Sequence, residues 1–294
     1  MKILVIGGTG SVGSHVVREL LARKADPVVL TRSAEKVKSL PAGVEGVVGD
    51  LLDPGTVRSV FKNVDGVFMI TAVSTTETHE GLMAVNGARM SGVKRFVYMS
   101  VHNVEQAPHL PHFGSKLPIE AALKKSGIPY TILRPNNFFQ NDYWFQEALL
   151  QYGVYPQPMG NMGLSRVDVR DIAEAAAIAL TASGHEGRTY NVVGPEVQTG
   201  KSTAEIWSRV LGKTIIYGGN DLDAWEEQSL SRLPAWMVFD FRLMYEFFQK
   251  NGLKATPADV DSMTGLLGRA PRGFEDFALE TVRMWNALSL DKEK

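Results

Sequence analysis

The residues near the start of the chain have the types and spacing to hold a phosphate. Gly7-Gly8-Thr9-Gly10-Ser11-Val12-Gly13 places Gly8, Gly10 and Gly13 in the pattern G-x-G-x-x-G, and Gly7, Gly10 and Gly13 in the related G-x-x-G-x-x-G. One glycine allows the tight turn, one lets backbone N–H groups reach a pyrophosphate, and one lets a helix pack closely on a strand. The helix that follows adds free N–H donors and a partial positive charge. A second group of residues stands at the end of the next strand, Leu30-Thr31-Arg32-Ser33. An NAD site places Asp or Glu there to hold the ribose hydroxyls, whereas this chain has no acid before Glu35. Arg32 offers a planar guanidinium to a 2′-phosphate, and Ser33 and Lys36 lie close enough to assist. NADP(H) is therefore the preferred cofactor, with NAD(H) as the alternative.

Two other groupings carry less. His102, His109 and His112 are close in sequence but lie in a Pro-containing loop, without helical ligand spacing or a cysteine partner, so no metal site is expected. Gly200-Lys201-Ser202 resembles the end of a nucleotide phosphate loop, but that motif needs glycine where Pro195 stands. A helix cap at Ser202 or Thr203 explains the segment better.

These residues need elements to carry them. The first half alternates β-branched runs with helical patterns, as βαβ units around a parallel sheet do. The pattern predicts strands over 2–6, 27–31, 45–48, 66–71, 94–100 and 129–133, with helices over 11–23, 54–62, 79–91 and 116–126. The strands are nearly continuous in Val, Ile, Leu, Phe and Met, as strands covered by helices on both faces should be. After Arg134-Pro135 the texture changes to a crowd of aromatics, then to a Gly-, Pro- and Met-rich stretch over 153–163. A helix over 169–181, a strand over 189–193 and further helices follow. The aromatic stretch from Trp236 to Phe248 reads as a core-facing helix. The C-terminal part is too interleaved for an independent domain and reads as a lid.

Composition narrows the classes. The chain has 294 residues, 44% of them hydrophobic, which is ample for a packed core. Its 31 basic and 32 acidic side chains nearly cancel, which gives no electrostatic case for a nucleic-acid partner. There is no cysteine, so disulfides, thiolate nucleophiles and thiolate metal sites are excluded. The apolar run 3–6 is too short for a signal peptide, and no stretch approaches the ~20 residues that span a bilayer. A cytoplasmic protein with no membrane partner is the expectation.

The glycine turn, Arg32, Gly49-Asp50 and Leu133-Arg134-Pro135-Asn136-Asn137-Phe138 together resemble the NmrA-like branch of atypical short-chain dehydrogenases. Val169-Arg170-Asp171-Ile172-Ala173 and Phe274-Glu275-Asp276-Phe277 are similar to its later segments, so the resemblance spans nearly the whole chain. It implies an α/β fold: a Rossmann-type doubly wound parallel sheet with a smaller C-terminal α/β lobe. Residues 1–135 would form the NAD(P)-binding domain, segments over about 164–194 would return to it, and 136–294 would mostly form the substrate or lid lobe. Asp50, Leu51 and Thr71 join the glycine turn, Arg32 and Lys36 as expected cofactor contacts. The family holds NAD(P)H-dependent reductases of small aromatic compounds or quinones. It also holds NADP-binding regulators without evident chemistry, for which a protein partner would follow.

Ordinary short-chain dehydrogenases use a Ser followed by Tyr-x-x-x-Lys, with the Lys holding the nicotinamide ribose. In this chain the resemblance puts Ser100 in the serine's place and Lys116 in the lysine's, while His112 stands where the tyrosine is missing. Imidazole transfers protons near neutral pH, which gives His112 a candidate proton-transfer role. The reading is an NADPH-dependent reductase of a small aromatic or conjugated substrate, held near Ser100, His112, Lys116 and Asn137. Phe138, Phe139, Met159 and Trp236 are the expected apolar wall.

Overall fold

A computed structural model describes residues 1–292, with side chains described through residue 287. Six β-branched and aromatic runs form strands β1 (Lys2–Ile6), β2 (Asp26–Thr31), β3 (Glu45–Val48), β4 (Gly66–Met69), β5 (Arg95–Met99) and β6 (Tyr130–Pro135). β7 (Val154–Tyr155), β8 (Arg188–Val192) and β9 (Ile216–Tyr217) follow. The main sheet runs β3-β2-β1-β4-β5-β6-β8 and is parallel throughout. Strand order reverses between β1 and β4, the switch point outside whose carboxyl ends ligands of such sheets bind. The register pairs Ile6 with Leu30 on one side and with Met69 on the other, so β1 and β4 end level and β2 runs one residue further.

The chain divides into two compact units. The first comprises Met1–Pro135, Val169–Val192 and Ser262–Gly268. One side of its sheet buries Leu4, Leu30, Met69 and Tyr98 against Phe61, Ala84 and Ile119. The helix Ser11–Ala22 packs against the helix Val169–Thr181. That second helix buries Ala173, Ala175, Ala176 and Ala177, small side chains that permit close approach on more than one side. The expected return over 164–194 is narrower, at 169–192, and residues 262–268 join the unit without any signal in their sequence pattern.

The second unit comprises Asn136–Asp168, Val193–Asp261 and Arg269 onward, with β7 and β9 as its own parallel pair. The last two residues of the expected C-terminal lobe lie outside the described residues. Its centre is partly ionic. Arg166 and Asp142, both fully buried, pair at 2.6 Å, and the Trp207 indole N–H donates to the same carboxylate at 3.0 Å. The helix Ala235–Asn251 buries Val238, Met244, Tyr245, Phe247 and Phe248, as a core-facing helix should, but leaves Trp236 and Phe239 exposed. Among the described residues no helix is long and apolar enough to cross a membrane, and no cluster of His, Asp and Glu could hold a metal ion.

Candidate functional site

The turn after β1 is shaped by contacts that only glycine tolerates. Gly7 adopts φ +80°, and a Cβ there would lie 2.6 Å from the Ile70 carbonyl oxygen at the end of β4. A Cβ on Gly13 would lie 2.1 Å from the Gly7 carbonyl, so the helix Ser11–Ala22 starts against the strand's own backbone. Gly10 differs. Its N–H donates to the Gly7 carbonyl at 3.0 Å, and a Cβ there would meet only that oxygen, at 3.3 Å. The open side of Gly10 is where a pyrophosphate can approach the backbone. Ser11, Val12 and Gly13 begin the helix, so their N–H groups have no partner within it. The chain's own atoms thus leave a cradle that fits a dinucleotide phosphate.

A cleft of about 470 Å³ lies beside this turn, bordered by Gly7, Thr9, Gly10, Thr31, Arg32, Ser33, Lys36, Asp50, Leu51 and Thr71. Ser33 caps the helix Ala34–Lys38 by accepting from the Lys36 N–H. Arg32 and Lys36 therefore sit on either side of a helix start. Neither has an ion-pair partner among the described residues, and the acid adjacent in sequence, Glu35, pairs with Lys38 at 2.8 Å. Asp50 turns its carboxylate onto the Leu52 N–H at 2.9 Å, and Leu51 is buried. Ile70, Ala72 and Glu80 also border the cleft and were not expected from sequence. Their positions follow from where β4 stops, two residues earlier than its hydrophobic pattern suggests.

Beyond that end of β4 lies a buried charge network. Thr71 donates to Glu77 Oε1 at 2.6 Å, Ser115 donates to Glu77 Oε2 at 2.9 Å, and the Lys116 ammonium pairs with the same carboxylate. Lys116 and Glu77 are both buried. The pairing arises because the helices Glu77–Met90 and Lys116–Lys125 pack side by side: a Cβ on Gly81 would lie 2.3 Å from Ile119. Tyr98 is buried nearby, and burial, with Glu77 and Glu120 adding, pushes its phenol well above the ordinary range. Ser100 is also buried, and neither hydroxyl has a partner at hydrogen-bonding geometry among the described residues. His112 lies half-buried in the short helix Pro111–Gly114, edge-on to Phe113 at 4.8 Å between ring centres. Glu77 carries no signal in the sequence: the helix expected over 79–91 begins two residues earlier, at Glu77 itself.

The residues expected as an apolar wall are dispersed within the second unit. Phe139 is fully buried, 5.1 Å from Phe274 and 5.5 Å from Phe277 between ring centres, so it is core and not wall. Met159 is likewise buried, with the Tyr155 hydroxyl 3.7 Å from its sulfur. Both expectations are corrected for one reason: an apolar residue in an irregular segment has no periodicity to say which way it faces. Trp236 is exposed, and Phe138 is half-buried. Asn137 accepts from the Arg166 Nε–H at 3.0 Å, so the buried arginine fixes its orientation.

A parallel sheet with this strand order, a glycine turn at the switch point and a cleft beside it define a Rossmann-type dinucleotide fold. The chain belongs to the NmrA-like family, whose model matches residues 1–278. It is 34% identical over 283 residues to a (4-alkanoyl-5-oxo-2,5-dihydrofuran-3-yl)methyl phosphate reductase of Streptomyces griseus subsp. griseus, covering 95% of this chain and 97% of that protein. It is 31% identical over 280 residues to an NAD(P)H azoreductase of Xenophilus azovorans, covering 94% and 96%. Among solved structures it is similar to the triphenylmethane reductase of Citrobacter sp. complexed with NADP(H). There the TM-score is 0.83 at 25% identity, covering 96% of this chain and 99% of the other.

Proposed function

We propose that the chain is an NADPH-dependent reductase of a small aromatic or conjugated acceptor. The observation that carries this reading is the cleft beside the glycine turn, bordered by Arg32 just after β2 and Lys36 in the helix that follows, neither of them ion-paired among the described residues. The three relatives support the same class, since each is named as a reductase and two are named with NADP(H) or NAD(P)H. Their named acceptors, an azo group, a conjugated lactone and a triphenylmethane dye, share an extended π-system.

In this reading, bound NADPH supplies the hydride. The chain's residues supply binding, orientation and the accompanying proton. Arg32 and Lys36 bind the 2′-phosphate by charge-assisted hydrogen bonds, and Arg32 can present two parallel donors. The N–H groups of Ser11, Val12 and Gly13 bind the pyrophosphate across the open face of Gly10. Asp50, Leu51 and Thr71 border the remainder, Thr71 through its backbone because its hydroxyl is committed to Glu77. Lys116 orients the nicotinamide half, and Ser100 and His112 stand on the proton side. Such an acceptor suits a site without a tyrosine: hydride addition to a quinone or enone leaves a stabilised oxyanion that water or an imidazolium can protonate, and hydride addition to a cationic triphenylmethane dye leaves a neutral product that needs no proton. Asn137, Phe138 and Trp236 remain candidate substrate contacts.

The test is steady-state consumption of NADPH against a panel holding a quinone, an azo dye, a triphenylmethane dye and an aromatic enone. Turnover with at least one, faster with NADPH than NADH, is expected. Tight NADPH binding with no turnover across the panel would replace this reading by a cofactor-sensing role.

A further inference from the structure

We propose that Glu77 is a positioning residue, which fixes the Lys116 ammonium at the carboxyl end of β4 so that the lysine meets the cofactor already oriented. The inference rests on the reductase reading of the site. A lysine has three rotatable donors on a flexible four-carbon stem and loses much rotamer freedom when it must point one way. Here the freedom is removed in advance. Lys116 is 7% exposed and its ammonium pairs with a carboxylate on a residue only 1% exposed.

That carboxylate is itself locked. Thr71 approaches one oxygen at 2.6 Å and Ser115 the other at 2.9 Å, so with Lys116 three donors define its plane. Glu77 is the first residue of its helix, where the aligned peptide dipoles favour a negative charge. Thr71 also borders the cofactor cleft, so hydrogen bonds run unbroken from the cleft wall through Glu77 to Lys116.

A role in stability alone explains this poorly. A wholly buried ion pair returns little net stability, because desolvation offsets the attraction, and apolar residues of equal volume often do as well. This one lies at the carboxyl edge of the sheet, beside a buried Tyr98 hydroxyl that has no partner at hydrogen-bonding geometry among the described residues. Such a cost at a ligand-binding edge is what preorganisation of a cofactor contact requires.

The experiment measures NADPH affinity by titration calorimetry, with melting temperature and steady-state constants, for Glu77→Gln, Glu77→Asp, Lys116→Ala and Glu77→Gln/Lys116→Ala. Glu77→Gln is expected to weaken NADPH binding about tenfold, the loss of one charge-assisted contact, with the acceptor KM unchanged. The double variant should bind no worse than Lys116→Ala alone, since Glu77 acts through the lysine. Glu77→Asp keeps the charge on a shorter stem and should fall between wild type and Glu77→Gln. If Glu77→Gln does not fold, Glu77→Asp carries the test by the same criterion. A folded variant with a lowered melting temperature but wild-type NADPH affinity would overturn the inference, as would additive losses in the double variant. Wild-type protein that binds no NADPH would overturn the reductase reading itself, and the inference with it.

Discussion

Removing the Arg32 guanidinium should cost NADPH affinity and leave NADH nearly unchanged. Arg32 follows β2 directly, borders the cleft and has no ion-pair partner among the described residues. A charge-assisted hydrogen bond contributes about 1.5–3 kcal/mol. Arg32 is exposed, so water and salt screen it, and the lower half of that range applies. Arg32→Ala should therefore lose about 1.5–2 kcal/mol, or roughly ten- to thirtyfold in Kd. Lys36 remains, so binding is weakened and not abolished, and Arg32→Ala/Lys36→Ala should lose more. Titration calorimetry with NADPH and NADH at low and high salt measures this, and the NADPH penalty should shrink with salt. Equal losses for the two cofactors would refute a 2′-phosphate role for Arg32.

The glycines of the turn separate binding from folding. Gly10→Val should abolish NADPH binding with the fold kept, because its Cβ meets only the Gly7 carbonyl at 3.3 Å, whereas Gly13→Ala should destabilise by at least ~1–3 kcal/mol through its 2.1 Å contact. Circular dichroism melts beside calorimetry distinguish the two. Phe139→Ala should cost ~3–5 kcal/mol in urea unfolding, as fits a fully buried ring, and leave NADPH affinity within about twofold; a loss below ~1 kcal/mol would put Phe139 outside the core. Burial would raise the Glu120 carboxyl, but the Arg134 guanidinium, with the nearby Ser100 hydroxyl and Lys124 adding, outweighs it and holds the group below its ordinary 4.5. The unfolded chain then takes up the extra proton first as pH falls. The contribution is complete above about pH 4.5 and disappears as pH drops through the folded value, so acid unfolding of Glu120→Gln should lack that component.

What could be read from the sequence was what depends on near neighbours. β1 and β3 occupy the residues their hydrophobic runs mark, and the glycine turn lies where its spacing requires, because a tight turn and a helix start involve only adjacent residues. β4 stops short, since Thr71 is drawn off by Glu77, and β6 runs on through Pro135 as β8 pairs beside it. Long-range pairings left no trace. Glu77 and Lys116 are 39 positions apart, and Arg166 and Asp142 are 24 apart, and nothing in either local pattern marks a buried charge. Lys116 drew notice through resemblance alone, and its partner followed only from two helices packed across Gly81. The same limit misplaced Phe139 and Met159, whose apolar character suits a core and a pocket wall equally well.

The cleft is proposed to bind NADPH for hydride transfer to a conjugated acceptor. The most direct measurement is a single-turnover mixing of protein, NADPH and each acceptor in turn, following nicotinamide and acceptor absorbance together. One NADPH should disappear for each hydride the acceptor takes up, more slowly with NADH, and the Gly10→Val protein should be silent. NADPH that binds but persists unoxidised with every acceptor would rule out hydride transfer at this cleft.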